Sequence, residues 1–168
     1  MSDPTFTLAL AEPGDIPAVA GLLQETARWI MTWRSQLWDP ERLGEAFVTP
    51  LVARGEVLTA RVGRDLAGMM ILQPDDPNFW PDRPAGEAIY LHKVVVRRAY
   101  AGQGVPTALM DHAVELARAQ GRPFLRLDCD RPLAKVYRAL GFREVDEVDL
   151  VHPEAGPMRV TRMERRLT

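Results

Sequence analysis

Two glycines one residue apart, Gly102-Gln103-Gly104, stand between a β-branched run, Val94-Val95-Val96, and an apolar series at Val105, Leu109, Ala113, Leu116 and Ala117. The series keeps the spacing of one helix face, so the stretch predicts strand, tight turn and helix. Glycine admits the backbone conformations that such a turn requires, and the first turn of a helix carries N–H groups with no intrahelical partner. Donors converging in this way capture an anion, and the chemistry they point to is binding of the diphosphate of a nucleotide-like cofactor.

The elements that must hold this turn can be read outward from it. Residues 88–97 form the strand that enters it and residues 107–120 the helix that leaves it, closed by Gly121. Residues 124–128 form the next strand, so strand, helix and strand make a right-handed crossover with a parallel pair, whose carboxyl ends should carry the chemistry. Upstream, residues 6–10 form a first strand. Asp15 caps a helix through Ile16, Val19, Leu23, Thr26 and Ile30 to about Trp33, and Asp39-Pro40 opens a second helix through Leu43, Phe47 and Leu51 that stops near Arg54-Gly55. Residues 56–62 and 66–73 pair as an antiparallel hairpin. Residues 74–86, with four prolines, three aspartates and Phe79-Trp80, form a long loop with its aromatics on the surface. Downstream, Leu133, Val136, Tyr137 and Leu140 share one face of a short helix ended by Gly141, and residues 142–151 and 158–167 make a last hairpin. The acidic run Asp146-Glu147-Val148-Asp149 reads as the solvated face of an edge strand.

Composition narrows the classes of function. The 168 residues fit one domain, 1–168, without a linker-like tract, and 21 Lys plus Arg against 23 Asp plus Glu give a net charge of −2. That balance supplies no basic field for nucleic acid or anionic lipid. No apolar run reaches the length of a membrane span and the first residues lack a basic leader, which fits a cytoplasmic protein. The single cysteine, Cys129, has no Cys/His set at metal-ligand spacing, so no metal is expected and Cys129 reads as a buried strand-end residue.

Three glycine-turn families meet the opening stretch with different requirements. A phosphate-binding loop of the P-loop kind needs Gly-Lys-Ser/Thr, where this chain has Gly104-Val105-Pro106. A dinucleotide fingerprint would run from Gly102 to Thr107 with Asp128 on the ribose, yet the flanking antiparallel hairpin does not fit a repeated strand–helix array. The chain resembles the GCN5-related N-acetyltransferases over essentially its whole length. Their turn signature, Gln/Arg-x-x-Gly-x-Gly/Ala, falls on Ala101-Gly102-Gln103-Gly104-Val105-Pro106, with Ala101 and Pro106 departing from it. Their Tyr-x-x-x-Gly-Phe element is similar to Tyr137-Arg138-Ala139-Leu140-Gly141-Phe142.

The resemblance implies an α/β (α+β) fold with a mixed, mostly antiparallel central sheet, flanking helices and a strand-turn-helix coenzyme A site. It implies acetyl transfer from acetyl-CoA to an amine acceptor by direct attack, with no metal. The pantetheine arm would lie on Val94, Val95 and Val96, and the diphosphate on Gly102, Gln103, Gly104, Val105, Pro106 and Thr107. A backbone N–H near Val95 would polarise the thioester carbonyl, and Tyr137 would give a proton to the departing thiolate. The base is open among Glu87, His92, Asp128 and Asp130, all near strand ends. Trp29, Trp33 and Trp38 are core residues or an acceptor wall, with Asp75, Asp76 and Asp82 drawing in a cationic amine. Final hairpins in this fold pair between subunits, so a homodimer is compatible with it. A non-catalytic acyl-CoA-binding domain on the same fold, and a dinucleotide oxidoreductase, are the competing readings.

Overall fold

The turn is approached through a hairpin that tolerates no side chain at one point. Strand β3 (Asp65–Gln73) passes beside Val95 and Val105, and a Cβ on its Gly68 would lie 2.6 Å from Val105 Cγ1 and 2.7 Å from the Val95 carbonyl oxygen. Only glycine fits there. The computed structural model describes residues 5–33 and 38–167. Seven strands are joined in the order β1-β2-β3-β4-β5-β7-β6, antiparallel in the β1–β2, β2–β3, β5–β7 and β6–β7 pairs and parallel in the β4–β5 pair, as the expected mixed, mostly antiparallel sheet requires. The chain divides into two compact units, residues 1–71 with 93–109 and residues 72–92 with 110–168.

In the first unit, β1 (Thr7–Leu10) pairs with β2 (Val57–Val62), which turns through Gly63 (φ +58°) into β3. Helix α1 (Ile16–Met31) follows a 3₁₀ turn and buries Val19, Ala20, Leu22, Leu23, Ala27 and Ile30. Pro17 is harmless in its first turn, where no intrahelical N–H bond is lost. Thr26 instead turns its hydroxyl to the Leu22 carbonyl (2.8 Å). The second helix is shorter than its sequence pattern predicts. Asp39 accepts the Glu41 N–H (3.0 Å) and caps only the 3₁₀ turn Pro40–Arg42, after which extended Gly44 interrupts the chain and α2 runs over Glu45–Ala53. Glycine costs about 1 kcal/mol in a helix interior, enough to divide a marginal segment.

In the second unit, β5 (Phe124–Cys129) lies between the first five residues, 88–92, of β4 (Ala88–Val96), parallel, and β7 (Gly156–Arg166), antiparallel, with β6 (Arg143–His152) at the edge. The pleat sends Phe124, Arg126 and Asp128 to one face, level with Ala88 and Tyr90 on β4 and Glu164 and Arg162 on β7. The long loop does not leave its aromatics on the surface. Trp80 is 2% exposed, packs with Ala88 and Tyr90, and has the Arg162 and Arg126 guanidinium carbons 4.6 and 5.2 Å from its ring. Arg126 is itself buried and reaches Glu164 (3.2 Å), Glu87 (2.7 Å) and the Tyr90 hydroxyl (3.3 Å). Arg162 joins Asp82 of the loop to Asp146 of β6, each at 2.7 Å. The acidic run on β6, an edge strand with Asp149 exposed as expected, also carries a row of ion pairs, since Glu147 meets Arg131 and Arg159, and Asp149 meets Arg159.

Candidate active site

Strand β4 ends at Val96 and passes through the 3₁₀ turn Arg98–Tyr100 into Gly102 (φ +74°) and Gly104 (φ +86°), after which α3 (Val105–Ala119) begins. Both glycines occupy the left-handed region that the sequence required of them, and a Cβ on either would face open space. Arg97 fixes the entry, its N–H on the Ala67 oxygen and its Nε on the Leu66 oxygen, both at 2.8 Å, and Tyr100 anchors its hydroxyl on Asp65 (2.9 Å). Helix α3 starts two residues earlier than its pattern predicts, so Pro106 sits in the first turn, where it displaces no helical bond. The first turn closes with Ala108 N–H on Gly104 O (3.0 Å). Gln103 spends its N–H on Tyr100 O (3.3 Å), and its side chain folds back to Ala99 O (3.2 Å). The donors left for a diphosphate are those of Gly102, Gly104, Val105 and Thr107, at a positive helix end, which fits that group. Val94, Val95 and Val96 lie beyond the part of β4 that pairs with β5, which is confined to Ala88–Tyr90. Just before them Lys93 adopts φ +49°, the one left-handed non-glycine residue described. This break in the strand's regularity follows His92 directly.

His92 meets two carboxylates in the second unit. Its Nε2 lies 3.4 Å from Asp76 Oδ2, and His92, Asp76 and Asp128 each bring one donor atom within 4.8 Å of the others. Asp76 is 6% exposed. Its Oδ1 accepts the Phe79 N–H (3.2 Å) and its carbonyl accepts the Trp80 N–H (2.9 Å), an aspartate-capped turn followed by Pro77. Its Oδ2 has no hydrogen bond and faces the imidazole at ion-pair distance. Burial pushes the Asp76 carboxyl up to about 6, against the opposing effect of the Phe79 and Asn78 N–H groups. The Phe79 ring stands between two imidazoles, 6.4 Å from His92 and 5.6 Å from His152.

Tyr137 is carried by α4 (Ala134–Ala139), and the Gly-Phe that follows has a structural reason. Gly141 (φ +92°) ends the helix, Phe142 N–H returns to Tyr137 O (3.0 Å), and the Phe142 ring closes edge-on against the tyrosine at 6.0 Å. This helix stop fixes the tyrosine by its own backbone. Burial first, then the neighbouring Cys129 and Asp128, push the phenol up to about 12, so it holds its proton at neutral pH. Cys129 is buried as expected, and burial with the nearby acids raises its thiol to about 11, leaving it no reactive thiolate.

Other expected roles fit less well. Glu87 stands at the amino end of β4 and is paired with Arg126 at 2.7 Å, remote along the strand from the carboxyl end of β5 and committed to a buried cation. Asp130 starts the 3₁₀ turn Arg131–Leu133. Of the loop acids expected to draw in a cation, Asp76 is buried and Asp82 is ion-paired with Arg162, while Asp75 is exposed. Trp29 and Trp33 are not core residues: they pack edge-to-face at 5.5 Å and are 38% and 56% exposed, with Arg98 5.3 Å from the Trp29 ring. Trp38 is half-buried, with Lys93 Nζ 4.3 Å from its ring. Asp76 as a partner of His92, and the arginine pair that secures Trp80, are what sequence reasoning missed. Asp76-Pro77 repeats the cap signal of Asp39-Pro40, and Arg126 stands between the apolar residues Leu125 and Leu127 of its strand, whereas Arg162 lies on a strand rich in charge and carries no such signal.

Among the described residues no helix is long and apolar enough to cross a membrane. The sequence pattern of the acetyltransferase (GNAT) family matches residues 23–142. The chain belongs to that family. As a GNAT protein it is 29% identical to an uncharacterized N-acetyltransferase, YesJ, of Bacillus subtilis (strain 168), with 76% of each chain covered. Its fold is similar to that of a GNAT acetyltransferase from Listeria monocytogenes 4b F2365, at 25% identity and TM-score 0.75 over 96% of this chain and 95% of that one. It is also similar to yncA from Salmonella typhimurium, a putative acetyltransferase solved with its cofactor acetyl-CoA, at 17% identity and TM-score 0.73 over 98% and 95%.

Proposed function

We propose that the chain, as a single acetyltransferase domain over 1–168, moves an acetyl group from acetyl-CoA to the primary amine of a small molecule or peptide. The observation that carries this reading is the meeting of His92 with Asp76 and Asp128 on one polar face of the second unit, with a proton-holding Tyr137 beside Asp128 and Cys129. Acetyl-CoA supplies the activated thioester when bound. His92 takes the proton of the attacking amine nitrogen as that nitrogen bonds to the carbonyl carbon, and the carbon–sulfur bond breaks. Tyr137 gives its proton to the departing sulfur and is reprotonated by way of solvent, so one proton leaves the amine and one ends on the thiol. The N–H groups of Gly102, Gly104, Val105 and Thr107 bind the diphosphate, and Val94 to Val96 receive the pantetheine arm. Glu87 acts in this reading as a partner of Arg126 rather than as the base.

The test is release of free thiol from acetyl-CoA in the presence of a panel of primary amines, with calorimetry of coenzyme A binding alongside. Amine-dependent release is expected. Binding without release for any amine would support an acyl-CoA-binding domain instead, a reading favoured by one observation, the missing N–H at Pro106.

A further inference from the structure

The His92–Asp76 geometry goes further than naming a base. Asp76 comes from the loop, outside every motif of the chain, yet its carboxylate is oriented at both ends. Oδ1 is tied to the Phe79 N–H, and Oδ2 is buried, without a hydrogen bond and 3.4 Å from His92 Nε2. The loop cannot swing it away, because Trp80 is buried under Arg126 and Arg162, and Arg162 holds Asp82. A carboxylate so placed favours the imidazole tautomer with its hydrogen on Nε2, which makes Nδ1 the basic nitrogen, and it stabilises the imidazolium once a proton arrives.

We propose that Asp76 is a positioning residue that fixes the ring and tautomer of His92 and compensates the positive charge His92 gains when it deprotonates the acceptor. This rests on the reading of His92 as base. The titratable groups placed against the imidazole are Asp76 from the loop and Asp128 from β5, with His152 of β6 across the Phe79 ring; Asp75 acts on Asp76, Tyr137 of α4 and Cys129 stand beside Asp128, and Lys93, the next residue of β4, is turned to the Trp38 ring. The Asp76 oxygen stands at ion-pair distance from the imidazole, so its removal should move the titration. Above about pH 6 the carboxylate is ionised and available to the imidazolium.

The experiment follows the imidazole resonances of His92, His112 and His152 by NMR through a pH titration of the parent and of Asp76→Asn. Loss of a negative charge beside an imidazolium makes that imidazolium a stronger acid, so the His92 midpoint should fall by about one pH unit, a tenfold change in its proton affinity, while His112 stays in place. With an acceptor from the amine panel, the acidic limb of kcat/KM should fall by the same amount and kcat should drop more than KM changes. An unchanged His92 midpoint in a folded Asp76→Asn protein overturns the inference. So does a parent titration that shifts on removal of divalent ions with EDTA, since the trio would then be a cation site. His92→Gln separates the two readings: undiminished turnover in that variant removes the base itself, whereas a collapsed rate with an unmoved pH profile in Asp76→Asn removes only the role of Asp76.

Discussion

The glycine turn of the first unit and the polar face of the second are built from opposite materials. The turn presents backbone N–H groups, and its side chains do little beyond holding it: Gly102 and Gly104 contribute conformation, and Arg97 and Tyr100 tether it to β3. The polar face presents side chains, His92, Asp76, Asp128 and Tyr137, on a backbone of ordinary strands, one capped turn and one helix stop. A site made of backbone tolerates exchange of most side chains and fails when conformation changes. A site made of side chains fails at single atoms. Damage to the turn should therefore read out in binding, and damage to the polar face in turnover.

The strongest test of that contrast is His92→Gln, expected to lower kcat by about 100- to 1,000-fold, as loss of a general base does, while coenzyme A affinity by calorimetry stays within about twofold. A large loss of affinity would break the division. With Tyr137 as the proposed proton donor, Tyr137→Phe removes only its hydroxyl and should lower kcat by about 100-fold with KM for acetyl-CoA little changed, in steady-state assays. Turnover equal to the parent's would exclude the acid role. Gly68→Ala damages the scaffold of the turn rather than its donors: overpacking against Val105 and the Val95 oxygen should cost about 1–3 kcal/mol, seen as a lower midpoint in denaturant melts. Gly104→Ala meets no steric neighbour but is forced to keep φ +86°, so it should weaken coenzyme A binding by about tenfold, about 1–2 kcal/mol, with kcat at saturation retained. The smallest effect is expected of Pro106→Gly. It returns one donor to the turn, worth about 1 kcal/mol, and should tighten acetyl-CoA binding by several-fold; a weaker calorimetric affinity would show that the proline shapes the turn instead.

The same contrast explains what could be read before any coordinates. Backbone sites are written locally: Gly102 and Gly104, the valine run and the helical period of α3 announce the turn, and Tyr137 with Gly141-Phe142 announces a helix stop whose bonds span only neighbouring residues. Side-chain sites are written in pairs far apart in sequence. His92 is legible as one of four candidate bases, but the proposal that favours it rests on a residue of a proline-rich loop returning to β4 and on Glu87 being paired with Arg126, neither of which is local in sequence. The second helix differs from its pattern for a local reason, Gly44, while the burial of Trp80 depends on arginines far from it in sequence, on β5 and β7.

The arginine clamp over Trp80 also sets how the second unit opens. Arg162 holds the carboxyls of Asp82 and Asp146 below their ordinary range, the hydrogen bonds from the guanidinium being the largest cause in each. For acids lowered in the folded state, the stabilisation is present above their unfolded range and disappears as pH falls through the folded values. Amide hydrogen exchange in residues 74–87 should therefore be slow at neutral pH, as in a packed element, and quicken in acid ahead of the strands beneath. The loop then behaves as a separately melting lid, whose opening free energy is written in two aspartates and one arginine.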